Sequence, residues 1–345
     1  MKKEDKKHAR FASIDFLRGL AIILMVVIHF AKYLLVTPEK SSTTYYLINF
    51  AALFAAPLFL FIAGISLVFS LTKRKQRARS HLIKRAIFLI IVGFLFINIW
   101  PADILHFIGL FLLISLFIFK LNKPLKIIIA NIFLWLSPII LIYFVNYNSA
   151  WARVAYEFSN FWTFSGFFNN LLFNGFHPIF PWIFFTIMGV VIGEYFVNSK
   201  NNKQKNIFIF YNILIGIILT FFGIFFSFFI WRIGSYPATP AYMLLGLGGC
   251  MLLLGIFYWV FEIKNTGKKI LSPIIFLGTV SFTLYLAHII IGIGPFYLIN
   301  KLSSLSMPLI IIYTIIFLII IGFLLYLWNK KFKLGPLELL LRRFS

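Results

Sequence analysis

Ser13-Ile14-Asp15-Phe16-Leu17-Arg18-Gly19-Leu20-Ala21-Ile22-Ile23-Leu24-Met25-Val26-Val27-Ile28-His29-Phe30 opens an apolar run that extends over residues 14–36. About 20 mostly apolar residues are enough to cross the hydrocarbon core of a bilayer as a helix, so this stretch predicts a first transmembrane span. It follows a basic tail, exceeds the length of a signal-peptide core and lacks a small-residue cleavage site, which predicts a retained signal anchor.

Working outward, comparable runs predict further helices near 46–71, 82–99, 104–119, 125–145, 179–197, 206–230, 238–262, 274–295 and 308–330. The fold class expected is all-α, a polytopic integral membrane helix bundle of about ten transmembrane helices in a single domain, 1–345. The third and fourth runs are short, which predicts a tilted hairpin through Trp100-Pro101-Ala102-Asp103. Composition agrees: 61% of residues are hydrophobic and 12% charged, against roughly 45–50% and 25% in soluble domains, so the surplus apolar surface must face lipid.

The net charge of +23 would suggest nucleic acid only if it clustered on a soluble face. Here it falls in short loops. The tail 1–13, the loops 72–85, 120–126, 200–205 and 264–269 and the tail after Trp328 hold 26 Lys and Arg, whereas the intervening loops hold 5. The positive-inside rule then places both termini in the cytoplasm of a multi-pass cell-membrane protein. The loop 146–178, rich in Phe and Trp, is extracytoplasmic on this topology and reads either as a lid or as an interfacial anchor. The tail 331–345 reads as an amphipathic cytoplasmic helix.

Ionisable groups inside apolar helices cost about 2.5–3.5 kcal/mol each at mid-membrane on translocon scales, so they single out candidate sites. Asp15, Arg18, Ile22, Met25, His29 and Lys32 recur at three- and four-residue steps and form one stripe of the first helix. Arg18 and His29 are 11 residues apart, about 16 Å of helical rise, a span suited to two ends of an elongated ligand. For Arg18 a membrane-edge ion pair with Asp15 is the alternative. Asp103 and His106 share a helix face, and Asp103 taken alone reads as an N-cap before it reads as a catalytic group. His177 and Arg232 lie on the same side of the membrane by topology. Ser281, Tyr285 and His288 share a face of the ninth helix, as a site or as a hydrogen-bonded helix contact.

HExxH, GxxxxGK[ST] and a strand-linked GxGxxG are missing, which leaves metal-hydrolase and nucleotide-hydrolysis readings without support. The single cysteine, Cys250, gives neither a disulfide framework nor a thiol metal site, and no metal ligand set is expected. Gly246-Leu247-Gly248-Gly249 reads as close helix packing.

The Arg18-to-His29 segment resembles the first helix of the transmembrane acyltransferase superfamily, marked by an Arg, ten residues and a His, as in acyltransferase-3 proteins. Pro57-Leu58-Phe59-Leu60-Phe61-Ile62-Ala63-Gly64-Ile65-Ser66, Ile104-Leu105-His106-Phe107-Ile108-Gly109, His177-Pro178-Ile179-Phe180-Pro181-Trp182 and Gly278-Thr279-Val280-Ser281-Phe282-Thr283-Leu284-Tyr285-Leu286-Ala287-His288 are similar, in order, to motifs of the heparan-α-glucosaminide N-acetyltransferase catalytic branch. The resemblance implies transfer of an acyl group, usually acetyl, from cytoplasmic acyl-CoA to a sugar or related acceptor across the membrane. It implies His29 as catalytic histidine, with Arg18 toward the acyl-CoA phosphates or holding the polar seam. The residues themselves add His106 and Asp103 as assistants, Asp15 beside Arg18 toward acyl-CoA, and His177, Arg232, His288 and Tyr285 toward the acceptor. Heparan-type enzymes carry a functional histidine in the first extracytoplasmic loop, whereas residues 37–45 hold none, so another histidine would have to replace it. The expected partners are the lipid bilayer, acyl-CoA and a glycan-like acceptor, with no nucleic acid and with homodimerisation open. A transporter using the same polar seam and a non-catalytic membrane protein are the rival readings. The first calls for internal repeats and discontinuous helices in matching halves, neither of which the sequence displays.

Overall fold

Apolar runs separated by short polar breaks become helices along the whole chain. The computed structural model describes residues 11–73, 77–145, 147, 151–152, 157–158 and 160–345. Residues 1–10 of the basic tail, with Arg153 and Tyr156 of the aromatic loop, lie outside the described residues. In chain order the helices are α1 (Ala12–Leu34), α2 (Thr43–Ala52), α3 (Ala55–Lys73), α4 (Arg77–Phe96), α5 (Leu105–Ile118), α6 (Lys123–Tyr143), α7 (Phe164–Asn169), α8 (Ile179–Asn198), α9 (Asn202–Phe229), α10 (Pro240–Tyr258), α11 (Ser272–Thr279), α12 (Ser281–Ala287), α13 (Gly294–Leu298), α14 (Met307–Phe332) and α15 (Pro336–Phe344). Within the aromatic loop, two-residue strands pair antiparallel, Trp151 opposite Phe158.

The protein is an all-α, polytopic membrane protein. Among the described residues eight helices are long and apolar enough to cross a membrane, the segments Thr43–Thr72, Pro240–Ile263 and Ser281–Leu298 each counting as one. The other two expected spans are α4, which carries Arg79, Lys84 and Arg85 in its first half, and α5, only 14 residues long. These two pack against each other as the expected hairpin. The ninth expected span differs from a continuous helix. It breaks at Val280 (φ −119°, ψ 23°) into α11 and α12, then widens into a π-turn over His288–Ile293 before α13.

The chain divides into two compact units, one of Met1–Ala55 with Leu253–Glu338 and one of Ala56–Leu252 with Leu339–Ser345. In the first, α1 is the central helix and packs on α2, α11, α12 and α14. The α1 and α11 backbones meet without side chains between them. A Cβ on Gly19 would collide with the Ile274 carbonyl, and one on Gly278 with the Asp15 carbonyl. Small residues at such crossings let membrane helices approach to van der Waals packing, their main source of association in lipid. The far side of α14 presents Ile312, Ile315, Ile319 and Phe323 outward, as a lipid-facing helix must.

The second unit repeats the device. Gly64 of α3 sits on the Thr186 carbonyl of α8, Gly189 of α8 sits on the Phe61 carbonyl, and Gly248 of α10 sits on Thr220 of α9. The glycine cluster of residues 246–249 thus serves packing. Lys126 of α6, 1% exposed, is tied by an ion pair to the half-buried Glu194 of α8.

Candidate active site

Each unit holds one histidine arrangement. In the first unit, α1 carries Asp15, Ile22 and Met25 buried, with Arg18 and His29 half-buried, so the polar stripe faces protein as its periodicity predicts. At the start of α1, Arg18 Nη1 donates to Asp15 Oδ1 at 3.1 Å. Of the two readings for Arg18, the local ion pair is therefore present. Glu262 Oε1 accepts the Ser13 backbone N–H at 3.1 Å, one of the donors a helix start leaves without an internal partner.

Further along α1, His29 Nδ1 lies 2.8 Å from Nε2 of His288, which is fully buried. The two rings are near parallel, with an interplanar angle of 17° and centroids 5.1 Å apart. His288 Nδ1 lies 3.3 Å from the Leu284 carbonyl oxygen, an acceptor, so this nitrogen must carry the proton. In a neutral ring Nε2 of His288 is then the acceptor, and His29 Nδ1 donates to it. The proton on Nδ1 leaves His29 Nε2 as the lone-pair nitrogen, able to take a proton or attack a carbonyl carbon. Tyr285, 5% exposed, places its ring edge-on to His288 with centroids 5.7 Å apart. The π-turn that begins at His288 is the kind of local widening found at functional positions in helices.

In the second unit, Asp103 and His106 are 0% and 2% exposed. Asp103 Oδ2 accepts from the Leu105 N–H at 2.9 Å, from the His106 N–H at 3.3 Å and from His106 Nδ1 at 2.8 Å. The carboxylate therefore caps α5 and also fixes the histidine tautomer, with the lone pair on Nε2. Among the described residues that atom is buried without a hydrogen-bond partner. The His106 ring stacks on Phe94, and Gly93 makes room for the dyad, since a Cβ there would press on Asp103 Oδ2 and the His106 N–H.

His177 does not meet His106. The two flank Phe107, at centroid distances of 6.3 and 4.0 Å, and His177 packs edge-on against Trp182. The Arg232 side chain is exposed beyond α9, and its carbonyl accepts the Thr239 hydroxyl at 2.9 Å. Beside it a cleft of about 650 Å³ is lined by Tyr143, Phe144, Tyr147, Trp231 and Thr239. Tyr147 donates to the Gly175 carbonyl, and burial raises its phenol pKa above the usual value.

No group of three or more His, Cys, Asp or Glu among the described residues is placed to hold a metal ion. Sequence reasoning passed over Glu194, Glu262 and Glu338, though acidic side chains within or beside apolar runs were a usable signal.

Residues 10–231 match a family described as heparan-alpha-glucosaminide N-acetyltransferase, catalytic. The chain belongs to this family. Residues 193–345 match a second family, described as a protein of unknown function (DUF418). No curated protein matches the chain. It is accordingly a multi-pass membrane protein with an acetyltransferase-type catalytic region. His29 lies within the first match and His288 within the second, so their hydrogen bond joins a residue from each.

Proposed function

We propose that this acetyltransferase moves an acetyl group from cytoplasmic acetyl-CoA to an amine or hydroxyl of a sugar or related acceptor on the far side of the cell membrane, with His29 as the general base or transient acyl carrier. The observation that carries the reading is the hydrogen bond from His29 Nδ1 to His288, which leaves the basic lone pair on Nε2 of a half-buried histidine. As base, Nε2 takes the proton of the acceptor while its oxygen or nitrogen bonds to the thioester carbonyl carbon. The C–S bond then breaks, and the CoA thiolate leaves and takes the proton back. As carrier, Nε2 itself attacks the thioester carbonyl carbon and the C–S bond breaks to release the CoA thiolate; the acceptor's oxygen or nitrogen then attacks the acyl-imidazole, the bond to Nε2 breaks, and the acceptor's proton passes to the thiolate. Proton transfer of this kind contributes about 10²–10⁴ in rate. The basic loops of the cytoplasmic face, on the topology read from charge, attract the polyanionic donor, a steering effect that salt weakens. On this reading Arg18, near the cytoplasmic start of the helix that carries His29, meets the phosphates of that donor.

The test is transfer of labelled acetyl from acetyl-CoA to membrane glycan or to the protein itself. His29→Ala should abolish it, and unchanged transfer removes His29 from the chemistry. Thermal stabilisation of the detergent-solubilised protein by CoA separates an enzyme from a silent scaffold.

A second reading makes His106 the base, and the carboxylate on its Nδ1 favours it, because an aspartate that fixes tautomer and stabilises the protonated ring is the arrangement of acyl-transfer triads. Loss of transfer in His106→Ala together with retention in His29→Ala selects this reading.

A further inference from the structure

The break at Val280 leaves the first backbone N–H groups of α12 without helical partners. An N-cap side chain normally fills that role, but the residue there is Val280, which has no hydrogen-bonding side chain. Instead Glu338, from the C-terminal helix α15, supplies a carboxylate across 55 residues. Its Oε1 accepts the Phe282 N–H at 2.8 Å and the Thr283 N–H at 3.1 Å, and its Oε2 accepts the Thr283 hydroxyl at 2.6 Å. The Thr283 hydroxyl in turn accepts the Leu337 N–H at 3.1 Å, which closes a ring of bonds between the two helix starts. Gly335 completes the fit, because a Cβ there would overlap the Glu338 carboxylate and crowd the Thr283 hydroxyl. Negative charge at a helix N-terminus is also favoured by the helix dipole.

Two and five residues beyond Thr283 are Tyr285 and His288, and His288 holds His29. We infer that Glu338 is a positioning residue for the His29–His288 pair, acting from the C-terminal tail through the start of α12. The inference rests on the reading of His29 as the reactive histidine. It identifies a residue far from the histidines in sequence whose loss misaligns the ring that orients His29. Misplacement of a catalytic group by about 1 Å can cost roughly 10²-fold.

The experiment compares the full-length wild type with Glu338→Ala, Glu338→Gln and Thr283→Val in detergent or nanodiscs. Ring ¹⁵N resonances of labelled histidine report the His29–His288 hydrogen bond, and CoA release from acetyl-CoA with glucosamine as acceptor reports turnover. Expected are displaced His29 and His288 resonances in Glu338→Ala, with kcat lower by about 10-fold to 100-fold and KM for acetyl-CoA within about 2-fold. Glu338→Gln, which keeps an acceptor oxygen, should fall between wild type and Glu338→Ala, and Thr283→Val gives the same readout should Glu338→Ala fail to fold. Undisturbed histidine resonances, or displaced resonances with wild-type kcat, overturn the inference. Because the resonances are read without turnover, retained transfer in His29→Ala sinks the catalytic reading separately.

Discussion

In the unit built from the two ends of the chain, His29 finds its partner 259 residues away, whereas in the central unit His106 finds its partner three residues away. Both arrangements leave the lone pair on a ring Nε2, but they are stable for different reasons. The Asp103–His106 geometry is dictated by one helix turn and by backbone bonds to the same carboxylate, so it forms wherever α5 forms. The His29–His288 geometry exists only if α1, α11 and α12 pack at close range and α12 starts in the right place. A local dyad is a robust fixture, and a long-range pair is one that the rest of its unit can set or spoil.

The largest effect expected is chemical, and it tests which arrangement reacts. His29→Ala should lower kcat for acetyl transfer by about 10²–10⁴, with the smaller fall in thermal unfolding midpoint of the two histidine variants, since the ring removed is half-buried although it donates to Nε2 of the buried His288. His106→Ala should unfold at lower temperature, since it takes away a fully buried ring stacked on Phe94. Equal losses of activity in the two variants at equal stability would erase the distinction drawn between them.

A smaller effect separates packing from chemistry. Gly278→Ala drives a methyl into the Asp15 carbonyl, and Gly93→Ala drives one into the Asp103–His106 dyad. Overpacking of this kind costs about 1–3 kcal/mol, so both should show lowered unfolding midpoints. Only Gly278→Ala, which spreads α11 from α1, should also displace the ¹⁵N resonances of His29 and His288. If Gly93→Ala displaces them and Gly278→Ala does not, the long-range pair does not depend on the α1–α11 contact.

Much of this was legible beforehand for a physical reason. A bilayer demands long apolar helices and penalises buried charge, so the spans, the α4–α5 hairpin and the polar stripe of α1 could be read from hydropathy and spacing. The stripe needed only the helical period. The Asp103 cap was legible because its partners are neighbours in sequence. What stayed hidden was long-range. Helical spacing groups Ser281, Tyr285 and His288, but Val280 interrupts the helix and the π-turn changes its winding at His288, so spacing alone does not show which ring His288 meets. Acid scarcity was an unused signal. The chain has nine Asp and Glu; Asp15, Asp103, Glu194, Glu262 and Glu338 each accept from a donor named above, and Glu39 Oε2 accepts the Met307 N–H at 2.6 Å. In so apolar a chain, a carboxylate near a helix end marks a backbone or cation that has to be satisfied.

The smallest effect concerns Arg18, where the two readings made from sequence part company. The guanidinium is paired at i,i+3 with Asp15, and its side chain is 25% exposed. Such a helix-surface pair is worth about 0.2–0.5 kcal/mol, so Arg18→Gln should leave the unfolding midpoint within about 1–2 °C of wild type. If Arg18 is only an anchor, KM for acetyl-CoA stays unchanged as well. If it also meets the donor's phosphates, KM for acetyl-CoA rises while kcat holds, because binding shared by ground state and transition state has been removed. That rise should shrink as ionic strength increases, since salt screens the attraction in the wild type but finds none to screen in the variant. A KM that is the same in both proteins at low and high salt assigns Arg18 to the Asp15 pair alone.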